Sequence, residues 1–217
     1  MSSGEHLETE RKYTVGPDFV LPDFTGLPGV AAVSPPRRQR LTATYFDTAG
    51  LRLAAARITL RRRTGGQDAG WHLKLPESGD TRREVRLPAG PPGQPVPVRL
   101  AEMVSPWTGG EELAPVARLQ TTRIVRHLLG DGEDLAEVAD DRVNASRAAT
   151  PAPQPGTGLQ VHWQEPLSWR EIEVELVAGD QELLAAAGQR LTDAGAAPAS
   201  SASKLHRLLG TQPATGR

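Results

Sequence analysis

The chain has 217 residues, a formal net charge of -1 from 25 basic and 26 acidic residues, and no cysteine. This length is enough to bury a core without covalent staples, and the lack of cysteine excludes disulfide scaffolds, thiolate-bound zinc, iron–sulfur clusters and thiol catalysis. The balanced charge gives no overall field that would draw the chain onto nucleic acid or an anionic membrane, so any polyanion site must be local.

The sequence contains no segment typical of a membrane span or an export signal. No apolar run approaches the ~20 residues that a membrane helix needs, and the N-terminus lacks a basic region followed by an apolar stretch. We therefore expect a soluble, cytoplasmic protein that binds neither nucleic acid nor a membrane. Its oligomeric state does not follow from the sequence.

A first β-strand is predicted close to the N-terminus by alternation with a period of two residues. Residues 6–13 place Glu8, Glu10 and Lys12 on one face of this strand. Lys12 is also one of only three Lys in a chain whose other basic residues are all Arg. Because a planar guanidinium does not imitate a compact ammonium, the three Lys are candidates for a specific role.

Three further strands with the same alternation are predicted over residues 57–63, 71–75 and 82–87. Residues 64–70 and 77–80, which are rich in Gly, Asp and Ser, suit the turns between them. Each strand has an apolar face and a charged face. The charged faces carry Arg61, Arg63, His72, Lys74, Arg82, Glu84 and Arg86.

The most regular strand pattern lies in residues 171–176, where Glu171, Glu173 and Glu175 oppose three apolar residues. A helix is predicted after it over residues 181–194 with Asp180 as N-cap, and a shorter helix from Pro97 to Met103. The remaining segments are predicted as surface loops at 88–97 and 151–158 and as a flexible tail or linker at 210–217.

The charges are segregated between strands. For a single strand, a solvated outer face explains alternating charge, but such faces usually mix both signs. Here acids dominate the first and last predicted strands, and bases dominate the three between them. Clustered carboxylates suit Mg²⁺ or Mn²⁺, and rows of Arg and Lys suit a polyphosphate. Closing the sheet into a barrel, with the charged faces inward and helices over the apolar faces, would bring both into one lumen.

An ordered set of motifs runs through almost the whole chain, from residue 5 to about residue 209, and includes all three Lys. It consists of Glu8-Thr-Glu10-Arg-Lys12, Tyr45-Phe-Asp-Thr48, Leu60-Arg-Arg-Arg63, His72-Leu-Lys-Leu-Pro76, Arg82-Arg-Glu84, Arg123, Glu137, Asp141, Trp169-Arg-Glu-Ile-Glu-Val-Glu175 and Ser203-Lys204. This set resembles the triphosphate tunnel metalloenzymes, also called the CYTH superfamily. It is also similar to bacterial proteins in which this domain precedes a polyphosphate-binding CHAD domain.

The resemblance implies a mainly β fold, namely a closed eight-stranded antiparallel β-tunnel with a few helices packed outside. It further implies one domain over residues 1–209 that binds a small-molecule triphosphate or polyphosphate together with Mg²⁺ or Mn²⁺. The implied metal ligands are Glu8, Glu10, Asp141, Glu173 and Glu175. The implied substrate-binding residues are Lys12, Arg61, Arg63, Lys74, Arg82, Arg123 and Lys204, and the catalytic set is Glu8, Glu10, Lys12, Glu137 and Asp141.

Several roles stay open at this point. Glu137 and Asp141 could ligate a second metal, hold its water, or pair with Arg. Lys204 follows a small-residue loop and could lie outside the barrel wall as a lid. His72 is favoured as a hydrogen-bonding lining residue over a general base, and Tyr45 and Asp47 are expected to fix a hairpin at the rim.

The predicted function is metal-dependent hydrolysis of a triphosphate, with inorganic triphosphate preferred and orthophosphate and pyrophosphate as products. No aromatic residue is expected in the lumen, which weighs against recognition of a nucleobase. The alternatives within the family are a thiamine triphosphatase, a nucleoside triphosphatase and an adenylyl cyclase. An alternative of another class is a non-catalytic polyphosphate-binding module.

Overall fold

The computed structural model describes residues 4–78, 81–149, 161–201 and 203–210. Ten strands and four helices occur within this part of the chain. In chain order they are β1 (Gly4–Val15), β2 (Ala32–Val33), β3 (Arg37–Asp47), α1 (Arg52–Ala55), β4 (Thr59–Thr64), β5 (Gly70–Pro76), β6 (Thr81–Pro88), α2 (Val98–Thr108), β7 (Ala114–Gly130), β8 (Glu133–Arg147), β9 (Leu167–Leu176), α3 (Gln181–Asp193), β10 (Ala197–Pro198) and α4 (Lys204–Leu209).

Eight of these strands form a closed antiparallel barrel in the order β1, β6, β5, β4, β3, β7, β8 and β9, and β9 pairs again with β1. Strand β1 makes the closure because residues 4–9 pair with β6 and residues 10–15 pair with β9. The two-residue strands β2 and β10 pair with β7 and β1, respectively. The predicted fold class, a mainly β closed eight-stranded tunnel, is confirmed.

The apolar faces of most barrel strands point outward, where helices cover them. Leu184 and Leu191 of α3 share a buried cluster with Ile172 and Val174 of β9. Helices α1 and α2 cover β4, β5 and β6 in the same way, around the fully buried Trp71. Burial of these outer faces leaves the inward faces free to carry charged side chains around a polar lumen.

Helix α4 packs across one end of the barrel. Its Leu205 and Leu208 are buried in a cluster with Tyr45, Leu119 and Val143, which lie on the inward faces of β3, β7 and β8. The barrel interior is therefore apolar at this end and charged further along. Apolar contact between α4 and the inward faces closes this end of the tunnel.

The two predicted helices are present. The carboxylate of Asp180 accepts a hydrogen bond from the Leu183 amide at 2.9 Å, as expected of an N-cap. Helix α2 is longer than predicted, because it continues past Met103 to Thr108 and includes Pro106. Proline cannot donate to the Glu102 carbonyl one turn earlier, but the Ser105 hydroxyl does so at 2.8 Å. This side-chain bond lets the helix run through the proline.

Residues 89–97 connect β6 to α2 without further helix or strand, and the predicted loop at 88–97 differs from this connection only at Pro88, the last residue of β6. The predicted loop at 151–158 and most of the predicted tail at 210–217 lie outside the described residues. Among the described helices, the longest has 13 residues, and none is long and apolar enough to cross a membrane.

Candidate functional site

A cavity of about 580 Å³ runs inside the barrel and is lined mainly by charged side chains. The period of two along each strand places them there, since alternate residues point to the same side of a sheet. Among the residues that the structure describes, nine Lys and Arg residues and six Asp and Glu residues line the cavity. The cations are Lys12, Arg37, Arg61, Arg63, Lys74, Arg82, Arg86, Arg123 and Lys204, and the acids are Glu8, Glu10, Asp68, Glu137, Glu173 and Glu175.

Three carboxylates lie in one row across the strands at the seam of the barrel. In the strand register Glu10 of β1 is opposite Glu175 of β9, which in turn is opposite Glu137 of β8. Glu8 lies two residues before Glu10 on the same inward face of β1. Four predicted site residues are thus brought together, although they come from three distant segments of the chain.

Burial and nearby carboxylates oppose ionisation of Glu175, and Lys74 offsets them only in part. Burial, together with the neighbouring Glu8 and Glu10 and the more weakly acting Glu137, raises the pKa of Glu175 to about 8. Burial acts on Glu10 in the same direction, but Lys12 and Lys74 outweigh it and hold the pKa of Glu10 at about 2. Glu175 consequently keeps its proton near neutral pH, and an added divalent cation would favour its ionised form.

The donor set of this row fits a hard divalent cation. Carboxylate oxygens are the ligands that Mg²⁺ takes in proteins, usually with several waters and with phosphate oxygens of a substrate. Glu8, Glu10 and Glu175 would hold such an ion. In the structure Glu8 is paired with Lys74, and Lys12 lies 2.5 Å from a carboxylate oxygen of Glu10.

A second acidic cluster lies deeper in the barrel and already holds cations. Ligand atoms of Asp141, Glu171 and Glu173 lie within 4.8 Å of one another. The Lys204 ammonium is 2.8 Å from Asp141, 2.7 Å from Glu171 and 2.7 Å from Glu173. Asp141 and Glu173, both predicted as metal ligands, are therefore paired with a lysine in the structure.

Arg123 joins the two acidic groups. Its guanidinium donates to both carboxylate oxygens of Asp141 at 2.8 and 2.7 Å, to Glu173 at 2.5 Å and to Glu137 at 3.5 Å. Although burial acts in the opposite direction, Arg123 and Lys204 lower the pKa of Asp141. Of the open roles for Asp141, pairing with Arg is the one that the structure displays. Arg123, predicted to bind phosphate, is engaged by carboxylates.

Lys204 does not lie outside the barrel wall as the loop before it suggested. Ser203 caps α4 by accepting the His206 amide at 3.2 Å, and Lys204, the first residue of the helix, is buried at the closed end of the tunnel. Burial of the apolar side of α4 carries the first helical residue inward. The Lys204 ammonium consequently faces the cavity from its end.

The basic side of the tunnel comes from β4, β5 and β6. Arg61, Arg63, Lys74 and Arg82 all line the cavity, as predicted for substrate-binding residues. Lys74 is placed toward the acidic row, since it pairs with Glu8 and lies 3.8 Å from Glu10. Cations and carboxylates thus face each other across the same lumen.

Tyr45 and Asp47 differ from the expected rim hairpin. The Tyr45 hydroxyl accepts a hydrogen bond from Arg61 at 3.2 Å inside the cavity, so an aromatic residue does line the lumen. Asp47 holds the start of α1, because its carboxylate accepts amide hydrogen bonds from Thr48, Leu53 and Ala54. The alternation of β3 accounts for Tyr45, which lies on the inward face with Ala43.

His72 is a buried lining residue with two acceptors. Its Nδ1 lies 2.9 Å from a Glu84 carboxylate oxygen, and its Nε2 lies 2.8 Å from the main-chain oxygen of Asp68. This arrangement matches the predicted hydrogen-bonding role. Asp68, whose carboxylate pairs with Arg63, was missed by the sequence reasoning because it lies in a Gly-rich turn without periodicity.

The family model of the CYTH domain matches residues 6–209. The chain belongs to the CYTH domain family. Two uncharacterized proteins from two strains of Mycobacterium tuberculosis are each 45% identical over 214 residues, which cover 94% of this chain and 40% of theirs. The CYTH chain described here thus spans about 40% of the length of these curated relatives.

Structures of known proteins agree with the CYTH fold. A Bacillus halodurans protein described as an adenylate cyclase candidate is similar with a TM-score of 0.54 and 16% identity, over 94% of this chain and 98% of that one. A Hippeastrum protein, described as having a dominant triphosphatase activity, is similar with a TM-score of 0.51 and 15% identity, over 94% and 95% of the two chains. At these identities the likeness concerns the fold.

Proposed function

We propose that this CYTH domain is a metal-dependent triphosphatase that cleaves the terminal phosphate of a triphosphate, with inorganic triphosphate as the preferred substrate. The observation that supports this most is the charge of the tunnel lining, with nine cationic and six acidic side chains. A triphosphate carries roughly four to five negative charges near neutral pH, and one divalent ion reduces this to about two or three. The complex of both therefore complements the lining in sign and amount.

Binding would exchange the partners of existing ion pairs. Without ligand, Lys12 is shared by Glu10 and Glu173, and Lys74 pairs with Glu8. A triphosphate offers these ammonium groups new acceptors and would leave the carboxylates for the divalent ion. Each buried charge keeps a partner in both states, which avoids the cost of an unpaired buried charge.

The chain's own residues would then position the phosphates for attack. Arg61, Arg63 and Arg82 can bind phosphate oxygens from one side of the tunnel, and Lys204 from its closed end. Fixed donors of this kind stabilise developing charge without reorganisation in the transition state. When bound, Mg²⁺ or Mn²⁺ would supply charge neutralisation and a water of lowered pKa. Glu8, Glu10 and Glu175 are the residues that would hold it.

Release of orthophosphate from inorganic triphosphate tests this proposal. The purified protein is expected to release one orthophosphate and one pyrophosphate per substrate in Mg²⁺ or Mn²⁺. Glu112→Gln, which removes an exposed carboxylate outside the cavity, is expected to release orthophosphate at the wild-type rate and is the control for the site variants. Tight binding of triphosphate without any release would instead support the non-catalytic polyphosphate-binding module.

A further inference from the structure

The connection between β4 and β5 folds back over the tunnel. Gly65 and Gly66 have positive φ angles of 79° and 73°, which favour glycine. A Cβ atom at Gly65 would lie 2.1 Å from the Arg40 main-chain oxygen, so the turn is held tightly against β3. As a result, the following residues Gln67 and Asp68 line the cavity.

Asp68 lies among the cations of the tunnel. Its carboxylate pairs with the buried Arg63, and its main-chain oxygen is held by His72 Nε2 at 2.8 Å. Burial opposes ionisation of Asp68, but Arg63, Arg61, His72 and Arg123 outweigh burial and lower its pKa. Conversely, burial and the repulsion from Arg61 lower the pKa of Arg63, and Asp68 counters this effect. Asp68 is thus a counter-ion of this cation group in the free protein.

We propose that the Asp68 carboxylate occupies the place of one substrate phosphate and competes with the substrate for Arg63. This inference rests on the proposed function to the extent that the ligand is a triphosphate. An anion that binds must replace Asp68 at Arg63, and a ligand with several linked charges does so more readily than orthophosphate. Asp68 accordingly favours binding of polyvalent anions over orthophosphate. It also stabilises the protein when no anion is bound, because it pairs with Arg63.

Removal of the charge should therefore have opposite effects on stability and on binding. In Asp68→Asn, the free protein is expected to melt at a lower temperature, because Arg61 and Arg63 lose a counter-ion. The same variant is expected to bind inorganic triphosphate with a Kd at least about fivefold lower, and to gain relatively more for orthophosphate. The main-chain bond from His72 is retained, because it does not involve the substituted side chain.

The experiment is calorimetric titration of inorganic triphosphate and of orthophosphate in EDTA, together with thermal unfolding of each protein. Asp68→Glu keeps the competing charge and should behave like the wild type, and Glu112→Gln makes the same charge change at an exposed position outside the cavity. An unchanged or raised Kd in Asp68→Asn would show that Asp68 positions Arg63 for the ligand, and would overturn the inference. Equal changes of Kd and Tm in Asp68→Asn and Asp68→Glu would also overturn the inference, as would a lack of binding of either anion by every protein tested.

The two proposals fail in different ways. Because the titration contains no metal and no turnover, tighter binding in Asp68→Asn by a protein that never releases phosphate would refute the triphosphatase and keep the competition. Phosphate release by a protein whose Kd does not change in Asp68→Asn would keep the triphosphatase and refute the competition.

Discussion

Glu175→Gln is expected to stabilise the metal-free protein while it abolishes phosphate release. Burial and the neighbouring carboxylates Glu8 and Glu10 raise the pKa of Glu175 from its ordinary value of 4.5 to about 8. The unfolded chain loses this proton near the ordinary value, whereas the folded protein keeps it until about pH 8. The free energy of unfolding consequently falls as the pH rises through this window. Glutamine does not ionise and escapes this loss.

The size of the effect follows from the width of the window. One pH unit corresponds to about 1.4 kcal/mol, so the loss between pH 4.5 and pH 7.5 reaches roughly 4 kcal/mol as an upper limit. Glu175 is partly exposed, and solvent screening reduces the loss of free energy of unfolding to about 1–3 kcal/mol. In a domain of this size each kcal/mol moves the Tm by about 2–4 °C. The Tm of Glu175→Gln in EDTA at pH 7.5 should therefore rise by roughly 2–12 °C.

Thermal unfolding with EDTA and with excess Mg²⁺ measures the stability and the Mg²⁺ binding of the variant, and the orthophosphate assay measures the loss of release. Mg²⁺ should raise the Tm of the wild type, since a ligand that binds only the folded state stabilises it, but should leave Glu175→Gln nearly unchanged. Glu112→Gln controls for the general change in charge. A Tm in EDTA equal to or below that of the wild type would refute the reasoning, as would equal stabilisation of both proteins by Mg²⁺.

Three further outcomes are expected. Glu10→Gln should lower phosphate release by at least about 100-fold with an unchanged circular dichroism spectrum, because it removes a ligand from a polar lumen; loss of the fold would assign Glu10 a structural role. EDTA should stop the reaction, and undiminished release in chelator would contradict the metal requirement. The kcat/KM for inorganic triphosphate should exceed that for ATP by at least about tenfold, and Lys204→Ala should lower the two kcat/KM values by similar factors. Preference for ATP would contradict this and would point to Tyr45 as part of a surface that binds the base.

The sequence predicts those parts of the barrel in which charge and apolar character alternate cleanly. Strands β4, β5, β6 and β9 fall close to the predicted segments, because helices bury one face and the tunnel solvates the other. Strand β7 carries no such pattern. Its inward face changes from the apolar Ala117 and Leu119, which pack near α4, to the charged Arg123. This face is therefore neither apolar nor charged along its whole length. Only the family resemblance pointed to this strand.

The residues of the candidate site likewise fall into those that a strand pattern predicts and those that it does not. Glu8, Glu10 and Glu175 lie on the charged faces that the alternation predicted; Glu10 and Glu175 are directly opposite each other across the seam, and Glu8 lies two residues before Glu10. Lys204 and Asp68 were misplaced or missed, because each is brought into the tunnel by a turn or a short helix. Their positions depend on packing against strands distant in the chain, which no local pattern records.

The register of β1 ties assembly of the site to the slowest part of folding. Glu10 and Lys12 meet Glu175 and Glu173 only when the chain pairs segments about 160 residues apart, and such long-range pairing is slow and exposes strand edges until it is complete. A folding intermediate with every hairpin formed but this seam open would have helices, strands and two hydrophobic clusters, yet would lack the proposed divalent-ion site. Recovery of Mg²⁺ binding during refolding would therefore report closure of the barrel, and should lag behind the recovery of secondary structure.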